Sequence, residues 1–248
     1  MSGEGTTDDP LFDPAFIADV FDRCSPLYIR VSTLASFGMT ERWRRQCVQA
    51  LDPLPEGAVG YDLMAGTGEA WPHLLRRHPS VARVTAIDIS EGMYARARDR
   101  LHAMRTDRIA FERADVLTAD LPEASADFVL STFGLKLLSA AGQRRLAATV
   151  ARVLRPGGTF SFIEASDPRG WTLRPLYRFY LAGVLPRIEE ALLRGATDFR
   201  LLHRYTERFG DASIFCRALR DEGLEARMTR YVHGCATGVA GRKPLPLA

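Results

Sequence analysis

The sequence predicts a doubly wound α/β fold built on a mostly parallel, seven-stranded sheet. Short apolar runs alternate with segments of helical periodicity through the middle of the chain. This alternation is typical of a parallel sheet that helices cover on both faces. A glycine-rich turn follows the first apolar run, and acidic residues follow the next two. In such a fold a ligand binds at the carboxyl ends of the strands, so these residues indicate a binding site there.

Each element of the predicted core has an ordinary length for its type. The five central strands are predicted at 59–63, 84–87, 109–112, 128–131 and 159–163. The helices between them are predicted at 71–77, 92–105 and 141–154. A final helix and two closing strands are expected within 210–248, which brings the sheet to seven strands.

A single domain accounts for all 248 residues, since this length suffices for one well-buried core. We expect four parts: a disordered tail with an N-terminal helical cap at 1–51, a cofactor-binding core at 52–167, a helical insertion at 168–209 and closing elements at 210–248. The insertion follows the fifth strand and is rich in aromatic residues and arginine. Its place over the carboxyl edge of the sheet is suitable for a substrate lid.

Composition narrows the function classes and predicts a cytoplasmic protein. The N-terminus lacks the features of a signal peptide, and no apolar run approaches the roughly 18–20 residues of a membrane span. A net charge of +3 gives no indication of a nucleic-acid partner. The four cysteines form no Cys-x-x-Cys pair, which argues against a metal centre or a disulfide framework. We therefore expect a small-molecule acceptor, no metal, no nucleic acid and no integral membrane segment.

The turn at 62–69 reads Asp-Leu-Met-Ala-Gly-Thr-Gly-Glu. Gly66 and Gly68 permit a tight turn and a close approach of the backbone to a ligand. The following helix offers free N–H groups to an anionic part of that ligand. A dinucleotide motif would place a third glycine where Trp71 stands, so pyrophosphate binding is disfavoured. The alternative for this turn alone is an ordinary strand-to-helix connection.

Acidic residues at the next two strand ends favour a nucleoside site. Asp88 lies twenty residues after Gly68, where a carboxylate can accept both ribose hydroxyls. Met93 has a spacing suited to packing against an adenine face. Asp115 follows the third strand and can accept from an adenine amino group. Either acid alone could be a solvated loop residue, but the signals occur in order at successive strand ends.

Further motifs extend this pattern along the chain. They are Phe21-Asp22-Arg23 and Trp43-Arg44 in the N-terminal part, Ser131-Thr132-Phe133-Gly134-Leu135-Lys136 after the fourth strand, and Arg152-Val153-Leu154-Arg155-Pro156-Gly157-Gly158 before the fifth. Together with the turn and the acids, they resemble the ubiquinone/menaquinone biosynthesis C-methylase family of class I methyltransferases. The resemblance covers nearly the whole chain and implies a Rossmann-like fold with S-adenosylmethionine as cofactor.

The resemblance also implies roles for individual residues. The turn at 66–68 would surround the methionyl part of the cofactor, Asp88 would hold the ribose, and Asp115 with Val116 would hold the adenine. Asp62 would lie behind the turn, near the cofactor's amino end. The residues expected at the cofactor are Asp62, Ala65, Gly66, Thr67, Gly68, Asp88, Ile89, Met93, Asp115, Val116 and Ser131.

Departures from the family's pattern fall in the parts expected to face the substrate. The family's Tyr-Asp is Tyr28-Ile29 here, and a downstream Asn is Ser32. The Arg-Asn of the fourth-strand loop is Lys136-Leu137, and a lid serine is Tyr205. We therefore expect an acceptor other than the housekeeping quinol. A small aromatic or polyketide-like acceptor, methylated on carbon in specialised metabolism or a quinone-like pathway, is the favoured interpretation.

Methyl transfer from a sulfonium is an in-line displacement that depends on alignment. A carbon acceptor on a phenol also needs a deprotonated hydroxyl nearby. Lys136 matches the family's loop arginine and could stabilise a phenolate. Tyr28, Tyr180 and Glu164 are further catalytic candidates. The alternatives are lid packing for the tyrosines and a structural hydrogen bond for Glu164.

Other functions remain open at this point. The nucleotide motifs suit O- or N-methylation of a small metabolite equally well. A fold of this type can also bind the cofactor without transferring methyl, for example in a cyclisation. The aromatic lid could form a homodimer interface. Arg200, Arg204 and Arg208 share one helix face, which is either solvated or attracts an anionic acceptor or membrane surface.

Overall fold

The computed structural model describes residues 9–25, 28–188 and 199–246. The tail predicted at the N-terminus therefore lies almost entirely outside the described residues. The α-helices with both ends in the described part are α1 (Pro14–Cys24), α2 (Tyr28–Ala35), α3 (Met39–Gln49), α4 (Trp71–Arg77), α5 (Glu91–Met104), α6 (Ala140–Val153), α7 (Arg174–Phe179), α8 (Phe199–Phe209) and α9 (Ser213–Asp221). A π-helical turn, Tyr180–Val184, follows α7. No described helix combines the length and apolarity required to span a bilayer.

Seven strands form one sheet in the order β3-β2-β1-β4-β5-β7-β6. Their bounds are β1 (Val59–Leu63), β2 (Arg83–Asp88), β3 (Ile109–Arg113), β4 (Ala126–Thr132), β5 (Leu154–Ala165), β6 (Glu225–Tyr231) and β7 (Ala236–Arg242). The first five are parallel, and β7 runs antiparallel to both β5 and β6. The chain order reverses between β1 and β4, which places the switch point beside the glycine-rich turn. The predicted doubly wound fold is confirmed.

The fifth strand is longer than the predicted segment 159–163 because it begins directly at the end of α6. Leu154 pairs with Ala126 before the register shifts, and regular pairing resumes at Thr159 with Phe128. The amide of Gly157, at φ 81°, donates to the Lys243 carbonyl at 2.9 Å, and the Lys243 amide donates to the Gly158 carbonyl at 2.8 Å. The Pro-Gly-Gly sequence is therefore a bulged part of the strand rather than only a turn before it.

Alternating side chains of the central strands divide the core into two apolar layers. On β4, Phe128 and Leu130 pack with Trp43 of α3 and Trp71 of α4. Val129 points to the opposite layer, which contains residues of α6 and α9. This period of two, buried on both faces, is the pattern that the apolar run at 128–131 predicted.

Helix α1 is fixed to the start of α5. Asp13 caps α1 by accepting a hydrogen bond from the Phe16 amide at 2.8 Å. Further along the helix, Asp22 Oδ1 accepts from the Ser90 hydroxyl at 2.5 Å and from the Gly92 amide at 2.8 Å. These contacts hold the N-terminal segment against the carboxyl edge of the sheet.

We expect Gly92→Ala to lower stability, although alanine favours a helix more than glycine does. A Cβ on Gly92 would lie 2.6 Å from Ser25 Oγ and 2.9 Å from the Asp22 Cα. The backbone of α1 would have to move, at a cost of about 1–3 kcal/mol. Thermal unfolding measures this effect. Gly142→Ala is the matched control in the first turn of α6, where a Cβ meets its nearest atom at 3.3 Å. Equal stability changes in the two variants would contradict the proposed role of the α1–α5 contact.

Candidate active site

A cavity of about 840 Å³, including its open mouth, lies at the carboxyl ends of β1, β2, β3 and β4. Its lining contains most of the residues predicted for the cofactor. They are Ala65, Gly66, Asp88, Ile89, Met93, Asp115 and Val116. The N-terminal segment contributes one wall, which includes Phe12, Ile17 and Phe21. We call this space the cofactor cavity.

The carboxylate of Asp88 is fixed by backbone donors from two loops. Its Oδ2 accepts from the Gly66 amide at 2.7 Å, and its Oδ1 accepts from the Ser90 amide at 3.0 Å. Burial raises the pKa of Asp88, while these backbone hydrogen bonds act in the opposite direction. Each carboxylate oxygen retains acceptor capacity, so the group can accept further hydrogen bonds from a diol in the cavity.

The end of β3 lines another part of the cofactor cavity. Asp115 Oδ1 accepts from the Leu117 amide at 2.9 Å, which orients the carboxyl group. Val116 and Met93 are buried and provide apolar surface nearby. The turn itself leaves room for a ligand, because a Cβ added at Gly66 (φ 57°) would meet no atom within 4 Å.

The remaining predicted residues lie behind the cavity wall. The Thr67 hydroxyl donates to Glu69, and Gly68 packs against the Trp71 ring, which leaves no space for a Cβ. Ser131 is buried, and its hydroxyl has no partner among the described residues. Thr132 and Phe133 of the same strand end line the cavity instead.

Asp62 also lies behind the turn. It is fully buried, and its Oδ2 accepts from the Trp71 indole Nε1 at 2.7 Å. Its Oδ1 has no partner within the described part of the chain. Burial raises the pKa of Asp62 to about 7, and the Trp71 hydrogen bond offsets only part of this effect.

A second, largely apolar cavity of about 1550 Å³, including its open mouth, adjoins the first. Helices α1, α2, α3 and α8 and the α7 region contribute to its walls. The two cavities share five lining residues: Ile17, Phe21, Arg44, Phe133 and Leu137. We call the second space the acceptor cavity, since a ligand in it would lie next to a ligand in the cofactor cavity.

Two catalytic candidates form a buried ion pair beside the acceptor cavity. Lys136 Nζ lies 2.6 Å from Glu164 Oε1, and both side chains are buried. The Glu164 carboxylate also accepts from the backbone amides of Lys136 and Ala165 at 3.1 and 2.7 Å. Lys136 lines the cavity, whereas Glu164 anchors it from behind. The structure thus brings these residues together, a pairing that the sequence did not indicate.

The tyrosine candidates have different environments. The Tyr180 hydroxyl donates to the Ala35 carbonyl at 3.0 Å, and its ring lies 5.5 Å from that of Phe37. Burial raises the pKa values of Tyr180 and of Tyr177, which also lines the acceptor cavity. Both hydroxyls therefore stay protonated near neutral pH. The side chain of Tyr28 lies outside the described residues.

Tyr205, which stands where the family has a lid serine, connects α8 to the N-terminal segment. The Tyr205 hydroxyl donates to the Leu11 carbonyl, and Arg208 forms an ion pair with Asp9. Arg204 is exposed, and neither Arg204 nor Arg208 lines the acceptor cavity. The side chain of Arg200 lies outside the described residues. An anionic acceptor bound by the described arginines of this face is therefore not supported.

Arg44 and Glu69 also line the cofactor cavity, and neither is among the residues predicted for the cofactor. Arg44 belongs to the Trp43-Arg44 motif, and Glu69 is the last residue of the glycine-rich turn. The opposite charges of these two motifs are the signal that could have paired them. Within the described ranges, no group of three or more histidine, cysteine, aspartate or glutamate side chains could hold a metal ion.

Comparison with known proteins agrees with this geometry. Residues 11–243 match the ubiE/COQ5 methyltransferase family. A demethylmenaquinone methyltransferase from Clavibacter sepedonicus is 31% identical over 239 residues, which cover 94% of each protein.

Solved structures share the fold at low sequence identity. A Haloferax volcanii methyltransferase complex with the Trm112 activator gives a TM-score of 0.63 at 18% identity, covering 94% of this chain and 99% of that chain. A Haemonchus contortus phosphoethanolamine N-methyltransferase in complex with S-adenosyl-L-methionine gives 0.60 at 13% identity, covering 82% and 52%.

The sheet order, the cofactor cavity and these matches define an S-adenosylmethionine-dependent methyltransferase. The chain belongs to the ubiE/COQ5 methyltransferase family. The residues present fit the cofactor, because the open space at Gly66 adjoins a carboxylate held at the end of β2. Asp88 would hold the ribose hydroxyls, and Asp115 with Val116 would hold the adenine.

Asp62→Asn tests whether the buried carboxyl group of Asp62 makes the stability of the protein depend on pH. The folded-state pKa of about 7 lies above the ordinary value of 3.8, so the folded protein binds the proton more tightly. Wild-type stability should therefore fall as pH rises from about 4 to about 7, by up to about 1.4 kcal/mol for each unit of pKa difference. The asparagine variant keeps an acceptor for Trp71 and should lack this decline. Denaturant unfolding at several pH values measures it, and parallel pH profiles would contradict the assignment.

Asp88→Asn should weaken cofactor binding by about 10- to 100-fold, because hydrogen bonds to an ionised acceptor are stronger than those to an amide. Calorimetric titration with S-adenosylhomocysteine measures the change. Asp99→Asn, an exposed substitution on α5, is the control and should bind as the wild type does. Unchanged affinity in Asp88→Asn would show that the ribose binds elsewhere.

Proposed function

We propose that this enzyme methylates a carbon atom of a small, lipophilic acceptor that carries an acidic hydroxyl, such as a phenol, a quinol or an enolised polyketide. The observation that supports this most directly is the composition of the acceptor cavity. Its described lining includes the cationic residues Lys136 and Arg44 but contains no aspartate, glutamate or histidine. A hydroxyl bound there meets positive charge and no ordinary general base.

This arrangement favours an acceptor that ionises readily. A cation within a low-dielectric cavity stabilises an oxyanion far more than it does in water. The protonated tyrosines cannot act as bases near neutral pH because burial raises their pKa values. An aliphatic alcohol would need a stronger base than the described cavity offers, whereas a phenol or enol needs only its anion stabilised.

Lys136 is the residue that we place against the acceptor oxygen. Its ammonium group uses one donor on Glu164 at 2.6 Å and retains two for other partners. Glu164 is a positioning residue, since it holds the ammonium through one oxygen and the Lys136 amide through the other. This anchoring fixes the cation in the wall of the acceptor cavity, 5.9 Å from the ring centre of Phe133, which lines both cavities.

When bound, S-adenosylmethionine would supply an electrophilic methyl group, and S-adenosylhomocysteine would leave with the electron pair of the broken C–S bond. The acceptor contributes the bonding pair from a ring or enol carbon, which its ionised hydroxyl enriches. That carbon then loses its hydrogen as a proton and the acceptor oxygen regains one, so that one proton is released to solvent overall. The protein aligns the two ligands and stabilises the oxyanion.

The identity of the acceptor is suggested by the residues that depart from the family's pattern. Ser32, Lys136, Leu137 and Tyr205 all line the acceptor cavity. These four residues depart from the pattern that the family resemblance implies, and they lie where the acceptor would bind. We infer an acceptor other than demethylmenaquinone, in specialised metabolism or a quinone-like pathway, with residues 168–209 serving as its lid.

The experiment is a panel of phenols, naphthols, quinols and enolised polyketides, followed by release of S-adenosylhomocysteine and mass spectrometry. Nuclear magnetic resonance then locates the new methyl group. Carbon methylation of a lipophilic phenol or enol supports the proposal. Exclusive methylation of oxygen or nitrogen would replace it with the corresponding reaction, and demethylmenaquinone as the best acceptor would overturn the inference from the departures.

Lys136 variants test the oxyanion role. Replacing lysine alone would leave Glu164 buried and uncompensated, so Lys136→Met is combined with Glu164→Gln. We expect kcat in this double variant to fall about 100- to 1000-fold, as on loss of an oxyanion donor, with little change in cofactor affinity. Lys136→Arg keeps the charge and should retain more activity. Equal kcat values for the double variant and the wild type would exclude Lys136 from the reaction.

A further inference from the structure

Arg44 is a buried cation at the junction of the two cavities. It lies on α3 and is 3% exposed. Its guanidinium carbon lies 5.2 Å from the centre of the Phe133 ring, and the residue lines both cavities. A guanidinium group offers five N–H donors in a rigid plane and stays charged at all physiological pH values.

The protein compensates this charge only weakly. Arg44 Nη2 lies 3.5 Å from Glu69 Oε2, and Nη1 lies 3.9 Å from Glu41 Oε2. Both distances exceed the 2.7–3.2 Å that is typical of an N–H···O hydrogen bond. The Nε atom is buried and has no partner among the described residues. Buried polar groups usually have partners, so the geometry indicates a ligand anion.

The neighbouring acid has other partners. Glu69 Oε1 accepts from the Thr67 hydroxyl and lies 3.8 Å from Arg100 Nη2. Arg100 in turn donates to the Thr67 carbonyl at 2.7 Å. Glu69 is therefore held by the glycine-rich turn and positions Arg44 at a distance, rather than neutralising it in a close pair.

We propose that Arg44 binds the α-carboxylate of the cofactor's methionyl group. The carboxylate is the negative group of this ligand, and its methionyl part belongs at the turn 66–68, directly before Glu69. Arg44 lies beside both Glu69 and Phe133, where the cofactor cavity meets the acceptor cavity. This inference rests on the proposed function for the orientation of the methyl group toward the acceptor. It adds a partner for the carboxylate at the end of the cofactor where Asp62, which lies behind the turn, is expected near the amino group.

If Arg44 binds the carboxylate, the enzyme should distinguish between two ligands that differ only in this group. Decarboxylated S-adenosylmethionine keeps the adenosine, the sulfonium and the amino group, and lacks only the anion. Wild-type enzyme should bind S-adenosylmethionine about 10- to 100-fold more tightly than the decarboxylated form, as a charged hydrogen bond predicts. In Arg44→Gln the affinity for S-adenosylmethionine should fall by a similar factor, while that for the decarboxylated form stays nearly the same.

Calorimetric titration of both ligands, without an acceptor, into wild type, Arg44→Gln and Arg45→Gln performs the test. Arg45 is the exposed neighbour on the same helix, and its substitution makes the same change in net charge. Arg45→Gln should behave as wild type for both ligands, and Arg44→Lys should recover part of the loss. Thermal unfolding without ligand shows whether each variant is folded. If Arg44→Gln is not folded, Arg44→Met takes its place in the titrations.

Equal loss of affinity for the two ligands in Arg44→Gln would assign the residue a structural role and overturn the proposal. Equal affinity of the wild type for the two ligands would overturn it as well. These outcomes differ from failure of the proposed function. In that case cofactor binding would still depend on the carboxylate, but no methylated phenol or enol would form.

Discussion

The hydrogen bond from the Gly66 amide to the Asp88 carboxylate joins the ends of the first two strands at the switch point of the sheet. It fixes the backbone of the glycine-rich turn and the direction of the carboxylate with one contact. The cofactor cavity is arranged around this contact, with β3 on one side and the end of β4 on the other. A strand order that reverses here is what leaves the space open.

Two ion pairs of different tightness lie at the two cavities. The Lys136–Glu164 pair is short and supported by backbone amides, so its position is fixed before an acceptor arrives. The Arg44–Glu69 pair is loose, and its cation retains unfilled donors. A rigid pair suits stabilisation of charge that develops during a reaction, because no reorganisation is then needed. A loose pair suits binding of a ligand that brings its own charge.

The parts of the site that follow from strand order could be predicted from the sequence. Asp88 and Asp115 follow successive parallel strands, so they must meet at one edge, and both line the cofactor cavity. Ser131 belongs to the same edge, but the alternation of side chains along β4 turns its hydroxyl into the core. The pairing of Lys136 with Glu164 depends on how two loops approach each other, for which the sequence contains no periodic signal. Arg44 depends in the same way on the docking of α3, a contact between segments far apart in the chain.

The tyrosine at position 205 connects residues 194 positions apart through its hydrogen bond to Leu11. The five parallel strands, by contrast, are complete by residue 165, and local helices connect consecutive strands except between β3 and β4, where a loop does. The strands that carry the cofactor cavity can therefore assemble in chain order during synthesis. The wall of the acceptor cavity also needs α8, which is synthesised later. Long-range closure of this kind is slow in entropic terms, since a large loop must be ordered before its contacts form. The wall that α8 contributes to the acceptor cavity thus forms through contacts that span most of the chain.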